Sequence, residues 1–218
     1  MVVWWGLIKL GFRLLYNELA FIYDLVSWAV SLGAWRCWQR SALKHLYAPH
    51  GAAILELAHG TGNLQLDLHT AGYQVFGHDL SANMGRIAQA KLQRQQFPVR
   101  LSRGRAQQLP YASGQMAAVI STFPTSFILE SATLREVHRV LQADGQFLIV
   151  PNGMFTTAGA AEAGLEWLYR ITGQRDASQF DVIAYFNEHG FMVEIMEERC
   201  LRSVATVITA SKKHSGIL

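Results

Sequence analysis

Glu56, Gly60 and Gly62 lie in the stretch ELAHGTG, directly after the apolar run AAIL, and Asp79 follows 23 residues after Glu56 at the end of a second apolar run. Glycines between a strand and a helix let a ligand approach the backbone beside the positive end of the helix. An acidic side chain closing the next strand can accept hydrogen bonds from both hydroxyls of a ribose. Together these residues point to an adenosine-type ligand. A dinucleotide-binding G-x-G-x-x-G would need glycine three positions after Gly62, where Gln65 stands, and this counts against NAD or FAD. Groups that could move a proton are few: Tyr23 and Asp24 ahead of the cradle and His59 inside it. His138, in REVHRVL, reads as a packing or surface histidine, and no group of His, Cys, Asp or Glu has metal-ligand spacing.

Alternating strand and helix patterns position these residues. AAILELA reads as the first strand, GNLQLDLHTAG as a helix closed by Gly72, YQVFGHDL as the second strand and SANMGRIAQAKLQRQQ as a helix capped by Ser81. VRLSRGRA and MAAVISTF are the third and fourth strands, ATLREVHRVLQADG a helix, and QFLIVPN the fifth strand. A helix in QFDVIAYFNEHG then leads to FMVEIMEERCL and SVATVITASK, an antiparallel pair. The expected fold is α/β: a Rossmann-like, seven-stranded, mostly parallel sheet with an antiparallel strand near the C-terminus and helices on both faces. Residues 1–48 form an apolar helical N-terminal extension or lid, and residues 49–218 form the ligand-binding domain.

The arrangement E-x-A-x-G-x-G, with Asp79 further on and an antiparallel strand near the end, resembles the class I S-adenosylmethionine (SAM) dependent methyltransferases. ILELAHGTGN, VFGHDLSANM, GRAQQLPYASGQMAAVISTF and LREVHRVLQADGQFLIV follow the order and spacing of the motifs in the family's small-molecule branch. YDLVSWAVSLGAWRCW, upstream, looks like the leading segment of the ubiquinone and menaquinone C-methyltransferases.

The resemblance implies that Glu56 and the backbone at Ala58, Gly60 and Gly62 hold the methionine end of SAM. Asp79 would take the ribose, Leu80 and Met84 would flank the adenine, and Ala106 would offer its N–H to the ring. Ser121, Thr122 and Phe123 would border the methyl group. Arg105 stands where the family usually has an aspartate that accepts from the adenine amino group, and a guanidinium has no acceptor to offer. It would stack on the ring or bind an anion instead. Ala117 and LQADG are further departures, and the segments STFPTSFI and VPNGMFT differ from those of the quinone enzymes.

With 218 residues, half of them hydrophobic and 16% charged, the chain is long enough for a full core and is not a disordered polymer. No acidic residue occurs between Asp79 and Glu130, whereas Arg86, Lys91, Arg94, Arg100, Arg103 and Arg105 do. That run is either a solvated face or an attraction for anions, and no nucleic-acid partner is expected. Cys37 and Cys200 belong to no CxxC pair, so no disulfide framework or zinc knuckle is expected and a reducing cytoplasm is compatible. The N-terminus lacks the marks of a signal peptide, and its uncharged runs are too short to span a bilayer. A narrow polar stripe of Lys9, Arg13, Asn17 and Asp24, with Trp4 and Trp5 near the tip, suits either packing on the body or a membrane surface contacted through residues 1–20. The expected location is cytoplasmic, with a peripheral place on the inner membrane as an alternative. The apolar N-terminus and the later segment MFTTAGAAEAGLEWLYRITG favour a hydrophobic acceptor, a quinone precursor or a lipid. Two readings stay open: a SAM-dependent methyltransferase acting on such an acceptor, and a non-catalytic SAM-binding protein with a docking role.

Overall fold

The computed structural model describes residues 22–156 and 181–213. The expected membrane contact through residues 1–20, and the capping segment from residue 157 onward, lie outside the described residues. Helices α1 (Tyr23–Val30) and α2 (Trp35–Lys44) precede the alternating core. It runs β1 (Ala53–Leu57), α3 (Asn63–Thr70), β2 (Gln74–Asp79), α4 (Ala82–Arg94), β3 (Leu101–Arg103) and β4 (Met116–Thr122). After a short 3-10 turn at Ser126–Leu129 come α5 (Ser131–Val140), β5 (Leu141–Val150), β6 (Gly153–Phe155), α6 (Val182–Glu188), β7 (Phe191–Cys200) and β8 (Ser203–Lys212).

The strands form one sheet in the order β3-β2-β1-β4-β5-β8-β6, and β7 covers the other edge of β8. β1 to β5 are parallel neighbours, and β8 runs antiparallel to β5, β6 and β7. A sheet of this kind is buried on both faces, so its central strands read as continuous apolar runs. Along β1 and β4, Leu55, Leu57 and Val119 join the core beneath α5 and α6, with Leu134, Val137 and Phe186. Ile54, Ala118 and Ile120 join the opposite core, with Trp38, Ala42, Leu64 and Leu68 of α2 and α3. The period-two alternation of a strand thus serves two cores at once.

Three expectations are corrected. The sheet has eight strands rather than seven, because the chain leaving β5 continues along β8 as β6. Gly153 permits this: a Cβ there would lie 2.2 Å from the Trp38 ring. Second, LQADG does not finish a helix. α5 stops at Val140, and Leu141 is buried and pairs with Met116, after which the ladder slips at Ala117 and resumes with Ala118 opposite Gln146. Third, Cys37 and Cys200 form a disulfide, with Cα atoms 5.8 Å apart and a sequence separation of 163. Spacing in the sequence could not reveal a pair that the fold alone brings together, and the cysteines give no support to a reducing compartment.

The disulfide fastens α2 to the end of β7. Arg36 and Arg40 grip Asp67 of α3 at 2.6 and 2.8 Å, Lys44 and His45 hold Glu198 of β7 at 2.6 and 2.9 Å, and Trp38 Nε1 donates to Ser203 Oγ at 2.8 Å. α2 is therefore part of the packed body.

Candidate active-site cleft

A cleft of about 490 Å³ opens at the C-terminal ends of β1, β2 and β4, where open α/β sheets bind ligands. The loop after β1 is shaped by residues with positive φ: Ala58 at 53°, Gly60 at 55° and Gly62 at 78°. Ala58 N–H donates to the His78 carbonyl at 2.8 Å, tying the loop to β2. Asp79 organises the floor. Its Oδ2 accepts from Gly60 N–H at 2.9 Å and its Oδ1 from Ser81 N–H at 2.7 Å. Each carboxylate oxygen keeps a further lone-pair direction, and Asp79 lines the cleft. A Cβ on Gly60 would meet no atom within 4 Å, so the loop backbone is open to whatever the cleft holds.

Most of the residues expected at the site do line it: Tyr23, Ala58, Gly60, Asp79, Leu80, Met84, Arg105, Ala106, Thr122 and Phe123. The Ala106 N–H has no acceptor among the described residues, as a donor reserved for a ligand would. Arg105 is exposed at the rim. Phe123, at φ 52°, stacks on Trp35 of α2 with centroids 3.8 Å apart, and Trp35 meets the edge of Tyr23 at 6.3 Å. One wall of the cleft is thus an aromatic stack assembled from α1, α2 and the end of β4.

Four expected site residues do not reach the cleft. Glu56 is buried beneath the loop, where its Oε2 accepts from Gln65 Nε2 at 2.7 Å and its Oε1 has no partner. Burial, opposed by the Gln65 hydrogen bond and reinforced by the charge of Asp79, pushes its carboxyl up to about 8. Gln65, which displaced the third glycine of a dinucleotide motif, is the residue that holds it. Gly62 serves packing: a Cβ there would lie 2.7 Å from Ala88 Cβ, so the glycine lets α3 meet α4. Ser121 is buried and donates from Oγ to the Leu57 carbonyl at 3.0 Å, joining β4 to β1. His59 points inward, with Cδ2 2.8 Å from where a Gly77 Cβ would sit, and its Nδ1 lies 2.9 Å from the Gly60 carbonyl. Burial pulls its pKa below the ordinary histidine value.

Asp24, the other candidate base, is a structural node. Its carboxylate accepts from Thr61 Oγ1 at 2.6 Å, Asn63 Nδ2 at 2.9 Å and Lys91 Nζ at 2.6 Å. Burial works to raise its pKa, but the hydrogen bond and charge of Lys91, with Thr61 and Asn63, hold it below the ordinary value. His138 is a packing histidine, edge-on to Phe191 at 5.3 Å.

Sequence reasoning missed His78, Gln107, Pro124, Thr125, Phe127 and Glu130, all of which line the cleft. Gln107 Nε2 donates to Glu130 Oε2 at 2.6 Å, bridging the loop after β3 and the segment after β4. The run FPTSFILE after β4 was the available signal, since a segment leaving a strand at the ligand end of the sheet must border the ligand. Among the described residues no cluster of His, Cys, Asp and Glu could hold a metal ion.

Comparison with known proteins agrees with this geometry. Residues 54–145 match a family described as a methyltransferase domain. The chain is 32% identical over 149 residues to the demethylmenaquinone methyltransferase of Thermus thermophilus, covering 65% of this chain and 68% of that one. It is 30% identical over 142 residues to a ubiquinone/menaquinone biosynthesis C-methyltransferase of Geotalea uraniireducens, covering 62% of this chain and 60% of the relative's length. Among solved structures, a geranyl diphosphate C-methyltransferase of Streptomyces coelicolor, in complex with S-adenosyl-L-homocysteine, superposes with a TM-score of 0.63. The two are 12% identical, with 81% of this chain and 78% of the other covered, a likeness of fold.

The chain belongs to the class I SAM-dependent methyltransferases. The residues present fit that family's cofactor: Asp79 with spare acceptor directions, the open backbone at Gly60, the apolar faces of Leu80 and Met84, and the unused N–H of Ala106.

Proposed function

We propose that the protein transfers a methyl group from SAM to a hydrophobic small molecule of the quinone-precursor or lipid-like class. The observation that carries this reading is the polarity of the cleft: Asp79 and Gly60 at one end, and Phe123 stacked on Trp35, with Tyr23 and Phe127, at the other. When bound, SAM supplies a methyl group on a positively charged sulfur. In-line transfer of such a group needs alignment and exclusion of water more than it needs a set of catalytic side chains.

In this reading Asp79 holds the ribose, because its two oxygens are already oriented by the Gly60 and Ser81 amides. Leu80 and Met84 hold the adenine from its faces, and Ala106 N–H satisfies one ring nitrogen. Thr122 and Phe123 border the reacting methyl group, and the aromatic wall seats a flat or prenylated acceptor. Tyr23, on that wall, lines the cleft where it can contact the acceptor. The names of the relatives, which act in quinone biosynthesis, support the same acceptor class.

Incubating the protein with methyl-labelled SAM and a lipid and quinone extract tests the reading; a labelled lipophilic product is expected. If the cofactor binds but no quinone, phenol or amine pool becomes labelled, the protein is a SAM-binding module instead. If calorimetry shows no heat with either SAM or S-adenosylhomocysteine, both readings fall.

A further inference from the structure

The loop after β3 presents the cleft with a donor and, one residue later, an acceptor. Ala106 keeps an N–H that meets no acceptor among the described residues. Gln107 donates from Nε2 to Glu130 Oε2 at 2.6 Å, and among the described residues its Oε1 receives no donor. The direction of that amide is set by its partner. Turned the other way, its oxygen would face a carboxylate oxygen, two acceptors with no proton between them. Glu130 therefore holds the amide nitrogen toward itself and the carbonyl away. It is itself anchored at the start of α5, where its N–H donates to the Phe127 carbonyl at 3.1 Å and its carbonyl accepts from Leu134 N–H at 3.0 Å. Gln107 and Glu130 both line the cleft.

We propose that Gln107 Oε1 accepts a hydrogen bond from the 6-amino group of the SAM adenine, and that Glu130 is the positioning residue that keeps Gln107 an acceptor. This rests on SAM as the cofactor and is independent of the methyl acceptor. β3 is the outer neighbour of β2, with Asp79 opposite Arg103, so a ribose held by Asp79 directs its base past Leu80 and Met84 to the loop after β3. Along one edge adenine sets a ring nitrogen that accepts beside an amino group that donates. An N–H followed by a carbonyl is the complement of that edge. The neighbouring side chains do not supply it: Arg105 has donors only, and His78 Nε2 is buried out of reach. Gln107 adjoins Ala106 in the chain, whereas the Glu130 carboxylate stands one hydrogen bond further out. The pair reads the amino group with two residues, one that touches the base and one that orients it.

The test is calorimetric affinity of the full chain for S-adenosylhomocysteine and for its 6-desamino analogue, in which hydrogen replaces the amino group and the ring nitrogen is kept. The wild type should prefer the amino ligand about tenfold, the effect of one desolvated hydrogen bond. Gln107→Leu should weaken S-adenosylhomocysteine about tenfold and leave the analogue within about twofold, so that the preference disappears. Retained affinity for the analogue also shows that the variant is folded. Glu130→Leu frees the amide to turn and should cut the preference to about threefold. Gln107→Glu/Glu130→Gln reverses the bridge: an amide on the helix side then donates to a carboxylate on the loop side, whose second oxygen faces the base. That exchange should restore the wild-type preference, which a merely structural bridge would not do. Equal loss for both ligands in Gln107→Leu overturns the proposal, as does a preference that survives it or an exchanged protein that shows none. If Gln107→Leu does not fold, the wild type and the exchanged protein decide. Wild-type binding of both ligands with equal affinity overturns the proposal alone, whereas binding of neither removes SAM as the cofactor and is told apart in this way.

Discussion

At one end of the cleft a single carboxylate, Asp79, holds the amides of Gly60 and Ser81. At the other end Phe123 stacks on Trp35, a residue of a helix that is itself held by Asp67, Glu198, Ser203 and Cys200. The first end is made by adjacent loops of parallel strands and needs little beyond local backbone shape. The second is assembled from residues far apart in the chain. On the proposed function, the cofactor end therefore tolerates change in the surroundings, whereas the acceptor end depends on how α2 is moored.

Removing the mooring separates the two ends most sharply. Closing a loop of 163 residues constrains the unfolded chain, and loss of such a disulfide costs about 5 kcal/mol in the chain-entropy model. Cys37→Ser/Cys200→Ser should lower the melting temperature by roughly 10 °C. Added reductant should do the same to the wild type and nothing to the variant. Affinity for SAM, measured below the melting range, should hardly change; a large loss of affinity would erase the distinction.

Asp79→Ala strikes the cofactor end. It orphans two backbone donors as well as removing the proposed ribose acceptor, at about 1–3 kcal/mol for each buried group. SAM affinity should fall about 100-fold by calorimetry. If affinity holds, the cofactor end is not organised by this carboxylate.

Glu56 gives a pH signature of the buried layer under the cradle. Its folded pKa is raised from 4.5 to about 8, so the folded state binds the proton more tightly than the unfolded chain. Its contribution is fully present below about pH 4.5 and is lost as pH rises through about 8, at roughly 1 kcal/mol per pH unit between. Glu56→Gln should flatten that part of the stability-against-pH curve in denaturant melts; an unchanged slope would show that Glu56 ionises freely.

Phe123→Ala should have the smallest effect. The lost aromatic contact with Trp35 is worth about 1 kcal/mol, enough to slow methyl transfer about fivefold. Cofactor affinity should stay within about threefold. Equal losses in both would place Phe123 at the cofactor end.

The strand and helix order, the Ser81 cap, the glycine turn after β1 and the place of Asp79 at the end of β2 were legible because each depends on residues close in sequence: apolar period, turn chemistry, and a carboxylate at a strand end. Glu56, Gly62, Ser121 and the candidate base His59 lie off the cleft for one reason. Residue type and spacing bring a side chain to the neighbourhood of a site but not to its surface, and packing against Gln65, Ala88, Leu57 and Gly77 drew these four inward.

By itself the sequence determined the α/β class, the strand that ends at the cradle and the carboxylate that closes the next strand, because local backbone preferences and apolar periodicity act over a few residues. Tertiary structure alone decided the eighth strand, the Cys37–Cys200 disulfide, the Phe123–Trp35 wall and the Gln107–Glu130 bridge. Each of these depends on which distant surfaces meet when two cores are filled on opposite faces of one sheet, and no spacing along the chain encodes that meeting directly.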